Sequence, residues 1–155
     1  MAAFSLGQDF YFAYGSNMDS ARMNQRGLHV QSAQAGQLEG FALRFNKSSK
    51  HHTGIGHANI VFAAKQQVEG VLYELETTEE ILKMDPFENA PINYSRDLVP
   101  VKVSGGMTRW AWTYFANPAV LQDGLLPNRE YLDHLLAGES YLSKAYYEQL
   151  ARTLD

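Results

Sequence analysis

Gly15, Ser16 and Asn17 follow an aromatic run, Phe10-Tyr11-Phe12-Ala13-Tyr14, and lead into Asp19-Ser20-Ala21-Arg22-Met23. That order predicts a strand, a tight loop and the start of a helix. Such a loop aims several backbone N–H groups at one point, and the helix behind it adds positive partial charge. The chemistry on offer is recognition of a carboxylate or another anion. Gly15 lets a ligand approach the backbone closely, while Ser16 and Asn17 either cap the helix or donate to the ligand. A plain strand-to-helix turn that binds nothing fits the same residues, because Gly-Ser-Asn turns are common. The second chemical segment is Met84-Asp85-Pro86-Phe87-Glu88-Asn89-Ala90-Pro91-Ile92-Asn93-Tyr94. Two acids three apart, at a helix end broken by Pro86, project from a loop rather than along a solvated helical face. Glu88 sits beside Phe87 and between two prolines, surroundings that desolvate a carboxyl and raise its pKa toward proton transfer. The plainer reading makes Asp85 and Glu88 surface decoration, as most carboxylates are.

Other candidates are weaker. His51, His52 and His57 share one loop but lack cysteine partners, an adjacent carboxylate or the helical spacing of a zinc face, so loop histidines or one polar pocket contact are expected. Ser16 lacks the Gly-x-Ser-x-Gly elbow of a serine nucleophile. Gly54-Ile55-Gly56 lacks the third glycine and the strand–helix setting of a nucleotide loop. Leu132, Leu135, Leu136 and Leu150, with Tyr146 and Tyr147, recur at helical spacing and read as core.

The elements that must position these groups mix strand and helix. Strand patterns cover residues 10–14, 37–45, 59–64, 68–74, 97–103 and 108–115, the last two joined as a hairpin around Gly105-Gly106. Residues 59–64 and 68–74 read as a hairpin or adjacent strand pair. A short helix over 20–26 closes at Gly27, and Thr77-Thr78-Glu79-Glu80 forms a capping box for a helix through Met84. Residues 46–57 form a long polar loop, of a length often tied to function. Asn128, after Pro127, caps a helix through Leu136, Gly138 breaks it, and residues 143–152 form a second. Strands dominate the first three quarters and helices close the chain. The expected class is α+β: a curved or barrel-like, mostly antiparallel β-sheet flanked by short helices, with a helical C-terminal part.

A chain of 155 residues fits one domain, 1–155, large enough to bury a core without metal or disulfide staples. It has no cysteine, which excludes disulfides, thiolate nucleophiles and sulfur-ligated zinc. A formal charge of −4 and the lack of a basic run argue against nucleic acid or an anionic membrane as partner. No apolar run approaches a membrane span, and the segment 1–9 has neither the basic region nor the apolar stretch of a signal peptide. A cytoplasmic location is expected.

Tyr14-Gly15-Ser16-Asn17 after an aromatic strand resembles the signature of the gamma-glutamylcyclotransferase superfamily, in its AIG2-like branch. Further matches follow in order: Gly56-His57-Ala58-Asn59-Ile60, Val68-Glu69-Gly70-Val71-Leu72-Tyr73, Leu82 through Glu88, Tyr94-Ser95-Arg96, and Leu126-Pro127-Asn128-Arg129-Glu130-Tyr131. Together they span about residues 10–152. The resemblance implies a gamma-glutamylcyclotransferase-like fold and an intramolecular aminolysis. The α-amine of a γ-glutamyl amino acid or amine attacks its own γ-carbonyl, closing 5-oxoproline and expelling the attached amine. By position Glu88 is similar to the family's catalytic glutamate, with Asp85 at a structural position before the turn. The backbone of Gly15, Ser16 and Asn17 would hold the substrate carboxylate or the developing oxyanion, and Tyr14, Tyr94, Tyr131 and Tyr114 would line the pocket. The partner implied is a small γ-glutamyl molecule, with no metal, nucleotide or covalent intermediate. The glutathione-specific branch is less similar, since its strand ends in another tetrapeptide after Tyr-Gly-Ser. The chain departs from the pattern at Asn89, where the family usually has glycine, and at Pro91-Ile92-Asn93 before Tyr94. That departure bears on the aim of Glu88 and keeps a second reading open, a non-catalytic binding module on the same fold. Leaving-group choice is expected at the rim, over residues 46–57 and 118–127.

Overall fold

The computed structural model describes residues 9–155, so the reading of the first eight residues lies outside the described part. Five strands close into a barrel in the order β1-β3-β2-β4-β5. They are β1 (Phe10–Ala13), β2 (Val30–Ser48), β3 (Gly56–Leu75), β4 (Tyr94–Lys102) and β5 (Thr108–Ala116). All neighbours run antiparallel except β1 and β5, which meet in parallel at Tyr11 and Trp112 and seal the barrel. Four short helices accompany them: α1 (Ser20–Gln25), α2 (Glu80–Met84), α3 (Arg129–Leu136) and α4 (Lys144–Ala151). Among the described residues, no helix is long and apolar enough to cross a membrane.

The aromatic run of β1 does not alternate with polar residues because both of its faces are buried. Phe12 and Tyr14 point into the barrel with Leu38, Ile60, Val68, Leu72, Val99 and Val101. Tyr11 and Ala13 face the helices, packing with Met18, Met23, Tyr73, Met84, Leu132, Leu135 and Leu150. The Phe12 ring has room because Gly36 and Gly70 pair opposite each other beside it. A Cβ on Gly36 would come within 2.8 Å of Val101 Cγ1, and one on Gly70 would collide with the Ala13 carbonyl.

Three expectations change. Residues 59–64 and 68–74 are not two strands but parts of β3, paired with β2 along almost its whole length. The turn-like residues between them form a bulge. Lys65 takes φ 69° and the opposing Gly40 takes φ 85°, while the register jumps from Glu39↔Gln67 to Phe41↔Phe62. The bulge bends the hairpin without ending it. The same pairing shortens the expected polar loop, since Asn46, Lys47 and Ser48 belong to β2 and Gly56 and His57 to β3. The capping box does not form either. The helix starts at Glu80 without a side-chain cap, and Glu80 instead accepts from His29 N–H at 2.7 Å and binds Lys83 Nζ. A tertiary partner outcompetes the local one. By contrast, Asn128 and Ser143 cap α3 and α4, accepting from the N–H groups of Tyr131 and Tyr146.

Candidate active site

The turn after β1 is a single 3-10 turn, Ser16–Met18, and Asp19 rather than Ser16 or Asn17 caps the helix α1. Space around Gly15 is tight. A Cβ on it would lie 3.1 Å from Ala58 Cβ and 3.4 Å from the Tyr131 hydroxyl. Met18 N–H bonds to the Gly15 carbonyl at 3.0 Å and Asp19 N–H to that of Ser16 at 3.2 Å. Among the described residues, no turn hydrogen bond is donated by the N–H of Gly15, Ser16 or Asn17. All three residues line one pocket, together with Tyr14, Glu88, Tyr94 and Tyr131. These residues therefore share a single cavity, which Asp85, His51 and His52 do not line.

Glu88 reaches that cavity from the turn after α2. Glu88 N–H bonds to the Met84 carbonyl at 3.2 Å, and the N–H groups of Ile92 and Asn93 both bond to the Asn89 carbonyl, at 2.9 and 2.8 Å. Asn89 takes φ 48°, the left-handed region that glycine enters freely and that asparagine tolerates better than other side chains. Asparagine at this position is thus compatible with the left-handed turn beside Glu88.

The Glu88 side chain is 19% exposed. Its Oε1 accepts from Asn17 Nδ2 at 3.2 Å, and Arg26 Nη1 lies 3.8 Å away. Asn17 is itself fixed from three sides. Its Nδ2 donates to the Tyr11 hydroxyl at 2.9 Å, its Oδ1 accepts from Arg26 Nη1 at 2.9 Å, and its backbone carbonyl accepts from the Tyr73 hydroxyl at 2.7 Å. Burial raises the Glu88 pKa above the usual carboxylate range, with Arg26, Arg22, the Asn17 bond and Lys47 pulling the other way. Asp85 is differently placed. Arg96 grips it with two bonds, at 2.8 and 3.1 Å, and the Tyr114 hydroxyl donates to it at 2.7 Å. Its lone pairs are committed to tying α2 to β4 and β5.

The tyrosines divide by their hydrogen bonds. Tyr14 donates to the Tyr114 carbonyl at 2.6 Å and Tyr94 to the Ala58 carbonyl at 2.8 Å, so these two brace the walls and offer only lone pairs. Tyr131 accepts from Ala58 N–H at 2.9 Å and Tyr11 accepts from Asn17, which leaves both hydroxyl protons without an acceptor among the described residues. Burial pushes the Tyr131 pKa up to about 12. The His57 ring lies tilted against Tyr131 with centroids 4.7 Å apart, and burial, with Lys47 beside it, lowers its pKa to about 4. It is neutral at neutral pH. His51 and His52 are exposed.

Sequence reasoning missed Tyr11, Arg22, Arg26 and Lys47, all of which line the pocket. The two arginines did carry a signal, since a spacing of four puts them on one helical face. Lys47 carried none: it lies near the end of β2, and only the tertiary fold brings it to the pocket. The segments 46–57 and 118–127 are hydrogen-bonded to each other. Gln122 N–H donates to the Asn46 carbonyl at 2.8 Å, Gly56 N–H to that of Leu126 at 2.9 Å, and the Ser48 hydroxyl to that of Val120 at 3.0 Å.

A closed five-stranded mixed barrel, flanked by short helices and opening on a pocket with one buried glutamate, defines the gamma-glutamylcyclotransferase-like fold. The family model described as gamma-glutamyl cyclotransferase, AIG2-like, matches residues 11–141, and the chain belongs to that family. No curated protein sequence matches it. Solved structures do. One named gamma-glutamyl cyclotransferase is 24% identical with a TM-score of 0.77, the match covering 93% of this chain and 86% of that one. YkqA from Bacillus subtilis is 26% identical with a TM-score of 0.80, over 92% of this chain and 52% of the larger protein. The yeast gamma-glutamyl cyclotransferase specific to glutathione is 16% identical with a TM-score of 0.64, over 94% of each chain.

Proposed function

We propose that this protein is a gamma-glutamyl cyclotransferase that converts a γ-glutamyl amino acid or amine to 5-oxoproline and the free amine, the whole chain acting as one cytoplasmic domain. The observation that carries the reading is the half-buried Glu88 carboxylate, held by Asn17 in a pocket shared with Gly15, Ser16 and Asn17, whose N–H groups donate no turn hydrogen bond among the described residues. In this reading those N–H groups hold the substrate's α-carboxylate and keep the glutamyl chain folded back on itself. Ring closure is then unimolecular, and much of the barrier is removed by holding the reactive rotamer. Ionised Glu88 takes a proton from the α-ammonium. The freed amine bonds to the γ-carbon, the carbonyl electrons move to oxygen, and their return breaks the bond to the leaving nitrogen. Glu88 gives its proton to that nitrogen, and the ring nitrogen's surplus proton follows by way of Glu88 to the released amine, which departs as its ammonium, so Glu88 ends the cycle ionised as it began. In this reading Tyr131, whose hydroxyl proton has no acceptor among the described residues, donates to the tetrahedral oxygen. Asp85, already claimed by Arg96 and Tyr114, holds the turn.

The test is release of 5-oxoproline, followed by mass spectrometry, from a panel of γ-glutamyl amino acids, γ-glutamyl amines and glutathione. Turnover is expected from the wild type, with Glu88→Gln about a hundredfold or more slower while still binding. A folded protein that releases nothing from any member, or a Glu88→Gln variant as active as wild type, overturns the proposal. The first of those outcomes is the one a binding module would give.

A further inference from the structure

Three cationic side chains, Arg22, Arg26 and Lys47, share the pocket with the single carboxylate of Glu88. Arg26 is accounted for, bonded to Asn17, 3.8 Å from Glu88 and lying over the Phe87 ring at 4.8 Å. The other two are not. Lys47 is only 7% exposed, yet among the described residues its ammonium has neither a hydrogen bond nor an ion pair. Arg22 has a fully buried Nε with no hydrogen-bond partner. The Lys47 ammonium stays in touch with the cavity, and partial desolvation without a bonded counter-charge lowers its pKa. A largely enclosed cation that lines a cavity and is left unpaired is a site prepared for an anion.

The γ-glutamyl portion of a substrate does not supply that anion in full. Its α-ammonium and α-carboxylate cancel, the first facing Glu88 and the second the Gly15–Asn17 amides, so Lys47 and Arg22 still lack a counter-charge. Lys47 also lies at the rim, where Leu121 bridges to it and the segment beyond β5 is zipped onto the end of β2. That is the side on which the leaving group must sit if the glutamyl end occupies the amide cradle.

We infer that Lys47, assisted by Arg22, recognises a carboxylate on the leaving group, so that the preferred substrate is a γ-glutamyl amino acid rather than a γ-glutamyl amine. This rests on the reading of the pocket as a γ-glutamyl site. Neutral His57 beside Lys47 leaves the subsite cationic at neutral pH. A leaving group with a positive charge is disfavoured by the same pair.

The test compares γ-glutamylalanine with γ-glutamylethylamine, which differ by that carboxylate alone. Binding is measured by calorimetry in the Glu88→Gln protein, so that neither ligand is consumed. The acid is expected to bind about tenfold or more tightly, as charge-assisted hydrogen bonds of this kind imply. Adding Lys47→Met should bring the two affinities within about threefold by weakening the acid alone, and Lys47→Arg should keep the preference. Equal affinities in the parent protein overturn the inference. So does an equal fall for both ligands in Lys47→Met, which would assign Lys47 to the glutamyl carboxylate. The underlying reading fails separately: wild type that binds the acid preferentially but releases no 5-oxoproline keeps the subsite and loses the cyclotransferase. Binding of neither ligand overturns both.

Discussion

Under the proposed mechanism Glu88 combines two demands that conflict in water: it must be basic enough to take a proton from an ammonium and still ionise near neutrality. Burial raises its pKa, and Arg26, Arg22, Lys47 and the Asn17 bond limit the rise. A carboxyl raised in the folded state adds stability while protonated, and that contribution is lost as the pH climbs through its folded pKa. Glu88→Gln should therefore melt above wild type at pH 8, with the difference vanishing toward pH 4; thermal scans across that interval check it. Under the proposed mechanism the rate rises with pH as Glu88 ionises. Arg26→Met removes a cation 3.8 Å away and should move the acid limb of the rate profile to higher pH. Asn17→Ala acts differently, because it releases Glu88 rather than retuning it. A fall of about ten- to hundredfold in kcat with little change in KM is expected, since a carboxylate that wanders loses near-attack geometry.

At the scale of elements, the turn after α2 decides where Glu88 points, and Asn89 is its hinge. Its φ of 48° predicts that Asn89→Gly keeps turnover within about twofold. Asn89→Val, with a branched Cβ that resists this region, should cost about 1–2 kcal/mol of stability and lower turnover, as denaturant titration and 5-oxoproline release will read. Asp85 belongs to the same turn but ties it to the sheet. The Asp85→Asn variant weakens the Arg96 clamp and should destabilise by about 1–3 kcal/mol, while sparing far more activity than Glu88→Gln. The helix caps illustrate when local chemistry prevails. Asn128 and Ser143 cap α3 and α4, and the Ser143 hydroxyl can accept from Tyr146 N–H while it donates to Glu69 at 2.8 Å, whereas the Glu80 carboxylate turns to the His29 N–H instead of closing a capping box.

For the whole molecule, the barrel interior and the helical layer meet on β1, so damage there reaches both. Phe12 is fully buried against Gly36 and Gly70, and Phe12→Ala should cost about 3–5 kcal/mol in denaturant unfolding. His57 couples the site to acid stability. Its pKa of about 4 in the fold means that the unfolded chain binds more protons below about pH 6.5. Stability should fall as the pH drops from there toward 4, and His57→Gln should flatten that part of the profile.

The chain alone determined what depends on neighbours in sequence: the aromatic strand into Gly15-Ser16-Asn17, the β4–β5 hairpin around its glycines, the capped helices α3 and α4, the turn that presents Glu88, and the ordered motifs that carry the family resemblance. These follow from periodicity, capping and φ preference, which act over a few residues. Only the tertiary structure decided that two apparent strands are one bulged β3, because pairing with β2 overrides three turn-like residues. It also decided that Asn17 serves Glu88 rather than α1, and that Lys47 and Arg22, 25 positions apart in sequence, face the same cavity. Side chains on separate strands and helices meet where barrel closure puts them, and no local rule encodes that closure.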